Sequence, residues 1–87
     1  MYSKKYKLEK LEEFNGHNPI YDGAEGSICY LAYLDEGKRG WFLCDSGLWF
    51  EPPHRIHTSV VKSVEYFDDG VILETQNTRF TFRLISE

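Results

Sequence analysis

Ile56-His57-Thr58-Ser59-Val60-Val61-Lys62-Ser63-Val64-Glu65-Tyr66-Phe67-Asp68-Asp69-Gly70-Val71-Ile72-Leu73-Glu74-Thr75-Gln76-Asn77-Thr78-Arg79-Phe80-Thr81-Phe82-Arg83-Leu84-Ile85 reads as three antiparallel strands. Val60, Val64 and Tyr66 share one parity of the first. Asp69-Gly70, flanked by apolar residues, is the strongest short-range hairpin signal. Glycine takes a positive φ without steric cost, and aspartate tolerates one. Val71 to Gln76 gives the second strand, Asn77-Thr78 a polar turn, and Arg79 to Ile85 the third.

The two turns predict a register. A two-residue turn at Asp69-Gly70 pairs Tyr66 with Leu73 and Val64 with Thr75. A two-residue turn at Asn77-Thr78 pairs Leu73 with Phe82, Thr75 with Phe80 and Val71 with Leu84. Both place Val64, Tyr66, Val71, Leu73, Phe80, Phe82 and Leu84 on one inward face, so a period of two holds across three strands. Ser63, Glu65, Glu74, Gln76, Arg79, Thr81 and Arg83 form the solvated face. Two pairs fit poorly. Glu65 falls opposite Glu74, a like-charge pair, with Arg83 diagonal to it. Phe67 falls opposite Ile72 on the polar side, where the N-terminal half is expected to cover the pair.

The chain has 87 residues, enough for a single β domain over 1–87. A chain of this size buries only roughly 60% of its unfolded surface. An aromatic content of 16% offsets that, because each ring removes a large area from water. The formal net charge is -4. Lys4, Lys5, Lys7 and Lys10 alternate with Glu9, Glu12 and Glu13, so no clustered basic face is expected, and nucleic acid is disfavoured as a partner. No apolar run approaches a membrane span, the longest being Ile28 to Leu34. No signal-peptide pattern follows Met1, so no membrane is expected and the cytoplasm is the expected compartment. In that compartment Cys29 and Cys44 are expected as reduced, buried thiols, although a disulfide across adjacent strands is geometrically possible.

Residues 1 to 14 carry two patterns. Tyr2, Tyr6, Leu8 and Phe14 share strand parity, whereas Lys7, Leu8, Leu11 and Phe14 make a helical stripe and Leu11 breaks the alternation. A first strand fits the rest of the chain better. Asn15 to Ser27 holds Asn15-Gly16, Asn18-Pro19, Asp22-Gly23 and Gly26, and reads as a long loop pinned by Ile20 and Tyr21. A loop of this length in a small domain is functional or packed down by its own side chains. Ile28 to Leu34 is apolar on both parities, as for a strand where a small barrel closes. Asp35 to Gly40 is a polar hairpin loop and Trp41 to Cys44 returns. Asp45-Ser46-Gly47 turns, Leu48 to Phe50 is a short strand, and Pro52-Pro53 ends it. The expected fold is all-β: a small, strongly curved, partly open antiparallel barrel of six or seven short strands, SH3-like rather than OB-like.

Ile56-His57-Thr58-Ser59-Val60, Gly70 to Leu73 and Thr75-Gln76-Asn77-Thr78-Arg79-Phe80 resemble the C-terminal hairpins of short hypothetical proteins of bacteria and their phages. In those a Thr-Ser-x-Val element precedes a strand, and Thr-x-Asn-Thr-x-Phe marks the last turn. The resemblance covers about a third of the chain. It implies a small β-domain, encoded on a phage or mobile element, and assigns no functional residue.

His17, His54 and His57 with Cys29 and Cys44 lack the tight pairs of a zinc site, so no metal or other cofactor is expected. His54 and His57 read as surface histidines on a loop. There is no nucleophile elbow, and Asp22-Gly23-Ala24-Glu25-Gly26 places acids where a phosphate loop would need a base. A non-enzymatic module is therefore expected. Trp41, Trp49, Phe50, Pro52, Pro53 and His54 form the candidate contact surface for a protein partner or a homo-oligomer, with Trp49 the expected exposed ring. The alternative is a barrel binding a nucleotide or metabolite between the 15–27 loop and the strands.

Overall fold

The computed structural model describes residues 4–21, 23–44 and 54–86, apart from the side chains of Ile20, Cys44 and His54. Its strands are β1 (Lys5–Glu13), β2 (Ile28–Tyr33), β3 (Arg39–Cys44), β4 (His54–Phe67), β5 (Gly70–Thr75) and β6 (Thr78–Ser86). All neighbours are antiparallel, and β1 pairs with β6 to close the sheet into a ring. The barrel is therefore closed rather than partly open. Its thin seam is β1–β2, where only Tyr6↔Cys29 and Lys7↔Ile28 are paired as strand partners. Loop groups extend that seam: Leu8 N–H donates to Ser27 O at 2.9 Å and Gly26 N–H to Leu8 O at 2.7 Å. Farther along, the Glu25 carboxylate takes the Leu11 N–H at 2.8 Å. A side chain thus satisfies a backbone donor that no strand reaches. The expected turn at 45–47 and strand at 48–50 lie outside the described residues.

Phenylalanines fill the ring. Phe42 on β3 meets Phe80 and Phe82 on β6 at centroid distances of 5.4 and 5.2 Å, in edge-to-face geometry. Leu8, Ile56, Val61, Val71 and Leu73 complete the buried interior. Cys29 is buried, with its sulfur 3.7 Å from the Ser27 carbonyl, and its backbone lies directly across the ladder from that of Cys44.

Residues 5–13 are a strand, and a β-bulge explains the misplaced Leu11. Leu8 pairs with Phe82 and Lys10 with Thr81, so Glu9 is an extra residue in β1. The extra residue shifts the parity, and Leu11 packs on the core. Strand β4 begins at His54, so the polar Arg55–Ser59 stretch belongs to the sheet. It carries two such irregularities. Thr58 and Ser59 together face Gly40, and Lys62 is extra between Val61↔Thr75 and Ser63↔Glu74. Val61 is consequently buried and Val60 exposed.

Both C-terminal turns lie one residue earlier than the sequence predicts, which slips each pairing by two. Tyr66 pairs with Val71 and Val64 with Leu73, which places the first turn at Asp68-Asp69. Leu73 pairs with Phe80 and Val71 with Phe82, which places the second at Gln76-Asn77. A slip of two preserves the faces, so Val71, Leu73, Phe80 and Phe82 are buried, with Val64 and Leu84 packed beside them. Tyr66 is the exception. The hairpin runs past the core and leaves this ring 71% exposed, with Phe67 51% exposed beside it. Glu65 faces Ile72 instead of Glu74. Arg79 takes the Glu74 carboxylate through Nη2 at 2.9 Å and Nε at 3.1 Å, and this bonding raises the Arg79 pKa. Arg83 pairs with Glu9 at 3.1 Å.

Gly70 opens β5 and does not have a positive φ. It is required because a Cβ there would overlap the Phe82 carbonyl on β6. Gly37 is the opposite case, with open space around it and a φ of +83. Gly70→Ala should cost about 3 kcal/mol and lower Tm by roughly 10–20 °C. Gly37→Ala should cost only about 1–2 kcal/mol, from backbone strain alone. Calorimetric melts of both variants check this, and equal losses would contradict the packing of β5 on β6.

Candidate functional site

Residues 14–21 and 23–27 belong to a packed-down loop with a short 3-10 turn, Pro19–Tyr21. Tyr21 is its anchor, with its ring set edge-on to Phe80 at 5.5 Å. Ala24 and Ser27 are fully buried. The loop's first half is held by Glu13 at the end of β1. One carboxylate oxygen accepts the Asn18 N–H at 2.9 Å, and the other lies 2.6 Å from His17 Nδ1. Asn15 Nδ2 donates to Asn77 Oδ1 at 2.8 Å, and Phe14 N–H donates to Asn77 O at 2.9 Å, which ties the loop to the β5–β6 turn. That turn is itself fixed by the buried Thr75 hydroxyl. It accepts from Thr78 N–H at 3.2 Å and Ser59 Oγ at 3.0 Å and donates to Thr78 O at 3.2 Å.

So held, the loop borders a half-open cleft of about 490 Å³ shared with residues of β3, β4 and the β5–β6 turn. Glu13, Asn15, His17 and Tyr21 line one wall, Arg39, His57 and Ser59 the other, and Asn77 and Thr78 complete it. The bulge in β4 shapes the second wall. Thr58 Oγ1 accepts the Gly40 N–H at 3.0 Å and donates to Ser59 O at 2.7 Å. The Thr58 carbonyl accepts Arg39 Nε at 3.2 Å, which holds that guanidinium at the cleft. A β-bulge commonly re-aims side chains in this way.

Burial pushes the Tyr21 phenol above its ordinary value; Thr78, by hydrogen bonding, acts against this, and the Glu13 charge adds to it. The phenol is therefore a protonated donor at neutral pH.

Of the residues expected to form the contact surface, Trp41 sits half-buried on the outer face of β3, next to the inward Phe42. The Arg55 guanidinium lies over its ring, 4.4 Å from the centroid, and His57 is its partner across the ladder. Trp49, Phe50, Pro52 and Pro53 lie outside the described residues, as does the His54 side chain. The backbone of His54 pairs with Cys44, so His54 and His57 belong to a strand and not to a loop. Sequence reasoning did not assign Glu13, Arg39, Tyr21 or Asn77 to a site. The turn-former density of 15–27 was the one signal, and it did not say which wall the loop would face.

No protein-family model, curated protein or solved structure matches the chain.

The Tyr21 shift gives a signed prediction. A phenol whose pKa is raised by folding contributes stability that is complete below the unfolded value of 10.0 and is lost as pH rises through its folded value. Denaturant melts of wild type and Tyr21→Phe should run parallel up to about pH 9. Above pH 10.0 the wild type should fall more steeply, and parallel curves there would mean that Tyr21 is not buried against Phe80.

Proposed function

We propose that the protein is a non-enzymatic small-ligand-binding barrel whose ligand, a nucleotide or metabolite, lodges between the 15–21 loop and the barrel. The observation that carries this is the cleft of about 490 Å³. Its volume falls within the range of small-molecule sites, about 300–1,000 Å³. Its walls are already tied down by the Glu13, Asn15–Asn77 and Thr75 hydrogen bonds. Such preorganisation lowers the ordering cost of binding. Ser59 Oγ is bonded to Thr75 rather than to a histidine, which supports binding over nucleophilic catalysis.

A ligand that binds the folded state raises its stability, by about 2.7 kcal/mol at a hundred times Kd. A thermal-shift screen of nucleotides, sugar phosphates, amino acids and organic acids should therefore find one class that raises Tm by roughly 10–20 °C near saturation. A flat screen would sink the reading.

A second reading, contact with a protein or a second copy, is supported by Tyr66 and Phe67 standing exposed at the tip of the β4–β5 hairpin. Sedimentation over a concentration series should then show association that Phe67→Ser abolishes. A single monomeric species at every concentration would argue against self-association.

A further inference from the structure

We infer that the cleft recognises an oxyanion, a carboxylate or phosphate borne by a small metabolite, with Arg39 as its principal charge partner. This rests on the small-ligand reading of the cleft and specifies the chemistry of what enters it.

The chain has four arginines. Arg79 is bound to Glu74 and lies 3.8 Å from Glu12, Arg83 is bound to Glu9, and Arg55 lies over Trp41. Arg39 differs from them. Its Nε is fixed on the Thr58 carbonyl, and among the described residues no carboxylate pairs with it. A guanidinium anchored at Nε keeps its two terminal nitrogens as a planar donor fork, the geometry that matches a carboxylate or phosphate. The anchor lowers the entropy lost when that fork is used.

The one carboxylate in the lining does not compete. Both oxygens of Glu13 are already taken, by Asn18 N–H and by His17. His17 and His57 also belong to the lining, with the Nδ1 of His17 engaged by Glu13. The cleft thus offers one permanent positive charge and an engaged negative one, on a chain whose formal net charge is -4. Long-range attraction of anions by the whole protein is absent, so affinity must come from short-range contacts in the cleft. Nothing in the fold requires Arg39 to be charged. The Thr58 carbonyl needs only a neutral donor, which a glutamine could supply.

The test is a ¹⁵N–¹H NMR titration of wild type, Arg39→Gln and the control Lys38→Gln at constant ionic strength. The probes are sodium pyrophosphate, citrate and neutral adenosine. Pyrophosphate or citrate is expected to give saturable shifts at the amides of Gly16, Arg39, His57, Ser59 and Asn77. Arg39→Gln should weaken that binding by about tenfold while Lys38→Gln leaves it unchanged. The spectra of the free variants report whether the fold is intact. Anion binding of equal strength in Arg39→Gln would overturn the assignment. Saturation by adenosine alone would remove the oxyanion and leave the ligand cleft standing. Failure of every probe to shift these amides would overturn the oxyanion inference, while leaving a ligand of other chemistry to the broader thermal screen.

Discussion

The structure depends on filling a ring too narrow for two layers. Six strands closed on themselves leave an interior only as wide as a few side chains, and interiors pack to crystalline density. Phe42 on β3 reaches Phe80 and Phe82 on β6, which stack on each other at 6.0 Å. Three rings thus span the barrel. The neighbouring Trp41 is turned to the outer face by strand alternation, where its indole stacks under Arg55. Among the described residues the aromatic side chains are therefore divided: Phe42, Phe80, Phe82 and Tyr6 make the interior, whereas Phe14, Phe67, Trp41 and the other tyrosines lie half-buried or exposed.

So small a ring must bend sharply, and the bends also build the cleft. Each strand irregularity inserts a residue and rotates the side chains beyond it. The one at Glu9 turns Leu11 onto the core and leaves β1 diverging from β2, so that Glu25 rather than a strand satisfies the Leu11 N–H. The one at Thr58-Ser59 presents a carbonyl to Arg39. Curvature and site are one feature seen from two sides.

This explains what the sequence could and could not disclose. Face assignment is robust because an even slip leaves alternation intact, so Val71, Leu73, Phe80 and Phe82 were legible although both pairings slip by two. The requirement for Gly70 has a different cause from the one its hairpin position suggests. Its neighbour on β6, and not its own φ, excludes a side chain, and a neighbour twelve residues away leaves no local signal. Tyr66 failed because alternation says which way a side chain points and not whether the core extends that far. Parity shifts at Glu9, Thr58-Ser59 and Lys62 carry no local mark either. The cleft was the least legible part. Glu13, Arg39, His57 and Asn77 meet only once the ring is closed, and Arg39 looks in the sequence like any loop cation. The loop of 15–27 was recognisable as a loop by its glycines and asparagines, and its tethering to Asn77 was not.

Closure of β1 on β6 also sets the order of assembly. Lys5 lies opposite Ser86 and Glu13 opposite Thr78, so these contacts join residues at the two extremes of the described chain. The hairpin of β4 and β5 and its extension into β6 need only short loops. The β1–β6 ladder must instead close a loop of most of the domain before any of its hydrogen bonds is repaid. Topologies dominated by such distant pairs fold in milliseconds to seconds rather than microseconds. The cleft, which draws Glu13 from β1 and Thr78 from β6, therefore exists only while that ladder is closed.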